Sequence, residues 1–113
     1  MIETMHGAMA GLRASVARLN VAGANIANAR TTGLAGDPDG YVPKAVVQTT
    51  DVAGHLRAVV LLVVAPAASA YLPNVSLPEQ FVELSIARRS YEANLAVLET
   101  TNEMMRFLVD REA

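Results

Sequence analysis

Apolar residues recur in alternating steps of three and four at both ends of the chain, and that rhythm is absent from the middle. Near the N-terminus it runs through Ile2, Met5, Met9, Leu12, Val16, Leu19, Gly23 and Ile26. Near the C-terminus it runs through Phe81, Leu84, Arg88, Tyr91, Leu95, Leu98, Asn102, Met105 and Val109. A repeat of seven is the a/d stripe of a coiled coil, here with Arg88 and Asn102 as polar residues at a positions. The pattern predicts a mainly α fold in which long N- and C-terminal helices pair as an antiparallel coiled coil.

The C-terminal helix has the firmer local support. From Glu79 the chain reaches its last residue without a Gly or Pro, and it is rich in Glu, Ala, Leu, Arg and Met. Such side chains lose little rotamer freedom in a helix. Ser76 suits the N-cap, Pro78 the first turn, and Glu79 completes a Ser-x-x-Glu capping box. From there to Asp110 the helix would be about 48 Å long. The N-terminal segment is largely Ala, with Gly7, Gly11 and Gly23 each costing about 1 kcal/mol relative to Ala inside a helix. It depends on packing. Val82, Ile86, Ala93, Val97, Met104, Phe107 and Leu108 lie off the stripe, so more than one partner surface is expected.

Between the helices, Thr31-Thr32-Gly33 and Gly36-Asp37-Pro38-Asp39-Gly40 carry turn chemistry. Tyr41 to Thr50 reads as an extended segment, with Pro43 favouring an edge. Leu56 to Ala65 is strongly β-branched and fits a second strand. The two form a small β hairpin, which is marginal without support. The expected organisation is a single domain, 1–113: an N-terminal helix over 1–29, a loop and hairpin over 30–75, and a C-terminal helix over 76–113.

Composition narrows the function. The 113 residues carry a formal net charge of −2 without a basic run, which disfavours a nucleic-acid partner. There is no cysteine, hence no disulfide or thiolate chemistry. The N-terminus lacks a basic region followed by an apolar core, so no cleaved signal peptide is expected. The longest apolar run, Ala58 to Ala65, is far short of the roughly twenty residues that cross a bilayer, and no membrane insertion is expected.

Catalytic and metal chemistry finds little to stand on. Glu3-x-x-His6 has the spacing of half a di-iron carboxylate site, but such sites need a second motif and further Glu residues. Its simpler explanation is an exposed pair at a helix end. Asp37-x-Asp39-Gly40 has part of a calcium-loop spacing, yet the first and twelfth ligand positions would be Ala35 and Val46. Neither a phosphate loop nor a nucleophile–base pair is evident. No enzyme activity, cofactor or metal is expected. Arg88 and Arg89 either meet an acidic partner or form a solvated face, with Glu92 in reach of Arg88 at i+4.

Two boxes at opposite ends carry a resemblance. The segment from Leu19 through Asn20, Asn25, Ile26, Asn28, Thr31 and Thr32 to Gly33 resembles the N-terminal signature of bacterial flagellar rod and hook proteins. Arg89-Ser90-Tyr91-Glu92-Ala93-Asn94, followed by a helix with Met104-Met105 near its end, resembles their C-terminal box. Tyr41-x-Pro43-Lys44 and Pro73-Asn74-Val75 are similar to the proximal rod branch of that family. A departure lies at Ala65 to Tyr71, a short Ala-rich bridge where the family has a longer segment.

The resemblance implies a structural subunit of the flagellar basal-body rod, located where the rod spans the periplasm. It would be exported by the flagellar type III apparatus without a cleaved signal, and assembled helically with copies of itself and other rod subunits. Assembly contacts are then expected at Leu12, Leu19, Asn20, Asn25, Ile26, Asn28, Thr32 and Gly33. On the second helix they are expected at Arg89, Tyr91, Asn94, Leu95, Leu98 and Met105. Two other functions remain open: a non-flagellar coiled-coil adaptor or degenerate rod-protein paralogue, and a small enzyme or metal-carrying bundle.

Overall fold

An unbroken helix-forming stretch at each end produces the two longest elements. The structure, a computed structural model, describes residues 2–31, 33–34, 41–62, 71–72 and 75–112. In order they form α1 (Ile2–Ala27), β1 (Gly33–Leu34), β2 (Lys44–Thr50), β3 (Leu56–Leu62), β4 (Tyr71–Leu72) and α2 (Leu77–Glu112). The molecule is mainly helical, with a small antiparallel hairpin between the helices. Ser76 stands at the start of α2, its carbonyl accepting a 3.1 Å hydrogen bond from the Gln80 amide. Asn28 stops α1: its Nδ2 donates to the Ala24 carbonyl at 2.9 Å, and the Thr31 hydroxyl donates to its Oδ1 at 3.2 Å.

The helices run antiparallel, since Asn25 meets Gln80 while Gly11 meets Asn94. Their shared face is not the stripe of large residues. On α1 the buried positions include Ala8, Ser15, Ala22 and Asn25; on α2 they are Ala87 and Thr101. Each of Ala8, Ser15, Ala22, Ala87 and Thr101 precedes an expected a position by one residue. The other half of the expected stripe, Met5, Leu12, Leu19 and Ile26 with Leu84, Tyr91, Leu98 and Met105, is half-buried at the flanks. Met9 and Val16 are each 41 % exposed, and Phe81 is 55 % exposed.

The shift has a steric cause. Small side chains let two backbones come close, and Gly11 marks the closest approach: a Cβ built there would sit 2.6 Å from the Asn94 amide. The polar residues on this face are satisfied within their own helices. Ser15 Oγ donates to Gly11 O at 2.9 Å, Asn94 Nδ2 to Ser90 O at 2.8 Å, and Thr101 Oγ1 to Val97 O at 2.8 Å. Such i→i−4 bonds let a hydroxyl or amide sit in a dry seam without an orphan donor.

The expected hairpin is present as β2 and β3, in register from Lys44↔Leu62 to Thr50↔Leu56. Its loop turns at Gly54, whose φ of 85° favours glycine. Asp51 holds that loop, accepting the Ala53 and His55 amides on Oδ1 at 2.9 Å each. Both strands pack on α1 and neither packs on α2. A second, two-residue pairing, β1 with β4, joins Gly33↔Leu72 and Leu34↔Tyr71 and was not foreseen by the hydropathy pattern. The expected turn at Asp37 to Gly40 and the end of the second strand, Val63 to Ala65, lie outside the described residues.

Candidate functional site

Two features stand out: a buried polar hub at the base of the helix pair, and apolar surface that the chain leaves open. The hub is Asn25, 0 % exposed and in the last turn of α1. Its Nδ2 donates to the Lys44 carbonyl at 2.8 Å and to Gln80 Oε1 at 3.0 Å. Its Oδ1 accepts the Lys44 amide at 3.0 Å and the Tyr41 hydroxyl at 2.6 Å. Two donors and two acceptor positions are all an amide has, so every one is used. Asn25 thus ties α1 to the entry of β2 and to the first turn of α2. Burial pushes the Tyr41 hydroxyl above its ordinary pKa, which keeps it protonated and donating.

Beside the hub lies an open groove lined in part by Arg18, Val21, Pro43, Lys44, Val46 and Val82. Arg18 reaches Glu83 only at 3.6 Å, and its Nε is buried without a hydrogen-bond partner among the described residues. Farther along α2, Arg88 meets Glu92 at 3.1 Å, the i,i+4 pair expected, and both are solvated. Such an exposed pair contributes little to stability.

The open apolar surface is extensive. On α2, Phe81, Val82, Ile86, Leu95 and Val97 are exposed, and beyond them Met104, Phe107, Leu108 and Val109. Phe107 is 66 % exposed. The hairpin adds Val47, Val59, Val60, Leu61 and Leu62, on both of its faces. The accessible surface is 8133 Å² over extents of 67 × 29 × 19 Å. A compact chain of this mass would expose about 5,900 Å². Large apolar side chains left exposed in such number are a feature of contact surfaces.

The expected contact residues divide between these features. Asn25 is enclosed by its own chain, so what it holds together is the monomer. Asn28 serves the helix stop. Asn94 is half-buried in the helix–helix seam, Tyr91, Leu98 and Met105 are half-buried at its flank, and Leu12, Leu19 and Ile26 are half-covered on α1. Asn20, Arg89 and Leu95 are exposed. Gly33 lies in β1, and Thr32 lies outside the described residues. Tyr41, Lys44 and Gln80 were missed as hub partners, since they stand 16, 19 and 55 residues from Asn25. Their only sequence signal was the Tyr41-x-Pro43-Lys44 string.

Glu3 and His6 are both exposed on α1, and no group of three or more metal-ligating side chains gathers among the described residues. Among those residues no helix is long and apolar enough to cross a membrane. What the geometry offers is contact surface.

Comparison with known families is specific at the C-terminal end. The profile of the flagellar basal body rod FlgEFG protein C-terminal family matches residues 69–111, which takes in β4 and nearly all of α2. The match covers 43 of the 113 residues and shows that this stretch is similar to that family. No curated protein matches the chain.

Proposed function

We propose, from the rod-family match over α2, that the chain is a structural, non-catalytic subunit of the bacterial flagellar basal-body rod. Within that family we place it nearest the proximal rod protein FlgC, on the Tyr41-x-Pro43-Lys44 and Pro73-Asn74-Val75 strings that it shares. It assembles helically with copies of itself and other rod subunits, through its terminal helices, and reaches the rod by type III export without a cleaved signal. Residues 1–113 act as a single domain in this role.

One observation carries the proposal: the α2 stretch matched by the family leaves large apolar side chains uncovered. Phe81, Val82, Leu95, Val97, Phe107 and Val109 line α2 and are exposed. Burying one such side chain in a neighbour's groove contributes about 1.5–3 kcal/mol, and a helical array repeats the contact at every subunit. The half-buried flank residues Leu12, Leu19, Ile26, Tyr91, Leu98 and Met105 border that surface and complete the contact.

The test uses Leu95→Glu and Phe107→Glu, both exposed and therefore expected to leave the fold intact. Each is expressed in a strain lacking the native gene, and swimming, secreted protein and rod-bound protein are measured. Incorporation should fall sharply while secretion holds. Normal motility and normal rod-bound protein with both variants would refute the assembly surface. Wild-type protein absent from isolated basal bodies would favour the coiled-coil adaptor instead.

A further inference from the structure

We propose that Asn25 is a latch that holds the hairpin against the helix pair and lets residues 41–62 come away as one unit when it opens. The proposal does not depend on the rod assignment. It begins with the manner of the contact. Asn25 accepts the N–H of Lys44 and donates to the C=O of the same residue, at 3.0 and 2.8 Å. A neighbouring strand would engage Lys44 in the same way. The side chain therefore acts as a one-residue strand that starts β2 and anchors it to α1.

Beyond Lys44 the hold is light. Nearly every side chain from Val47 to Leu62 is exposed, and the two strands rest on α1 alone. A lone two-stranded hairpin is marginal. The helix pair, by contrast, closes along most of its length, on Ala8, Gly11, Ser15 and Ala22 of α1 and on Ala87, Asn94 and Thr101 of α2, and most of that seam lies beyond the reach of Asn25. Among the described residues, the only hydrogen-bonded path from α2 to the hairpin runs from Gln80 through the Asn25 amide to Lys44. Two regions with different contact density joined at one point form separate units of opening.

The consequence is an adjustable surface. With the latch shut, one side of the hairpin covers part of α1. With it open, that side and the α1 surface beneath become available to a neighbour, while the helix seam is retained.

Amide hydrogen exchange on purified protein, verified as monomeric, tests this with wild type, Asn25→Ala and Tyr41→Phe. In Asn25→Ala, exchange across Ala45 to Leu62 should accelerate at least tenfold, while Ala87 to Thr101 stays within twofold. Tyr41→Phe removes one donor and leaves both Lys44 bonds, so it should accelerate the same residues by a smaller factor. Acceleration of α2 in step with the hairpin, including outright unfolding of Asn25→Ala, overturns the latch in favour of a single cooperative unit. So does a hairpin whose exchange is unchanged in both variants, or one unprotected in wild type.

Discussion

Gly11→Ala separates the observed helix seam from the stripe of large residues more directly than any truncation. In an ordinary helix position the change would stabilise by about 1 kcal/mol, because alanine loses less backbone entropy. At Gly11 the new Cβ would lie 2.6 Å from both Asn94 Nδ2 and Oδ1 and 2.7 Å from Cγ. The Asn94 side chain is short, and its Nδ2 is engaged with the Ser90 carbonyl at 2.8 Å. Displacing it forfeits about 0.5–1.5 kcal/mol of hydrogen bonding, and overpacking a tight contact costs about 1–3 kcal/mol. These losses exceed the propensity gain, so Gly11→Ala should destabilise by about 0.5–3.5 kcal/mol net. Gly23→Ala is the control, since nothing lies within 4 Å of its added Cβ; it should stabilise by about 0.5–1 kcal/mol. Urea denaturation followed by circular dichroism, at a concentration where sedimentation shows a monomer, measures both. In an Asn94→Ala background the collision is gone, and Gly11→Ala should turn stabilising. Equal gains from the two glycine variants in the wild-type background would show that the helices do not approach at Gly11, and the seam would have to be redrawn.

Three further outcomes follow from the same structure. The Asp51 carboxyl is held below its ordinary pKa, chiefly by the His55 amide. Its folded pKa is depressed, so the loop is favoured above the ordinary carboxylate value and that contribution is lost as pH falls through the folded pKa; exchange protection at Ala53 and His55, corrected for the intrinsic rate at each pH, should fall there, and Asp51→Ala should abolish that change in protection. Leu98→Ala, at a half-buried flank of the seam, should cost about 2 kcal/mol, while exposed Glu103→Ala should stay within about 0.5 kcal/mol in urea titrations; equal losses would contradict the assigned faces. Val82→Ser combined with Phe107→Ser should raise the concentration at which the protein self-associates in sedimentation without lowering its denaturation midpoint, and unchanged association would clear those side chains of a contact role.

How much of this was legible beforehand depends on whether the cause was local. The two helices were, because a period near 3.5 and a run without Gly or Pro both persist for many turns. The hairpin was too, because β-branched runs flank a Gly-containing loop. The face of contact was not. A heptad of large residues and the small-residue face one position earlier have the same period, so periodicity cannot choose between them. Side-chain size suggested the former, whereas the close approach at Gly11 and Ala87 selected the latter. Asn25 drew notice as an amide placed too early to end a helix, yet its partners are distant in the chain and only folding brings them together. The β1–β4 pairing, two residues a side, is too short to leave any hydropathy pattern.

α2 has 36 residues and α1 has 26. With Asn25 opposite Gln80 and Gly11 opposite Asn94, the surplus falls past the first turn of α1, in the stretch from Met104 to Glu112. The molecule therefore has unlike ends: a closed one where amide and strands gather, and an open one where α2 presents Phe107 and Val109. Two copies joined open end to open end would satisfy each other and stop at a pair. Joined open end to flank, they leave a fresh open end after every addition. The second arrangement would have a direction, each copy setting the position of the next. Shortening α2 by two turns would remove the overhang, and with it the surface on which such an addition would be made.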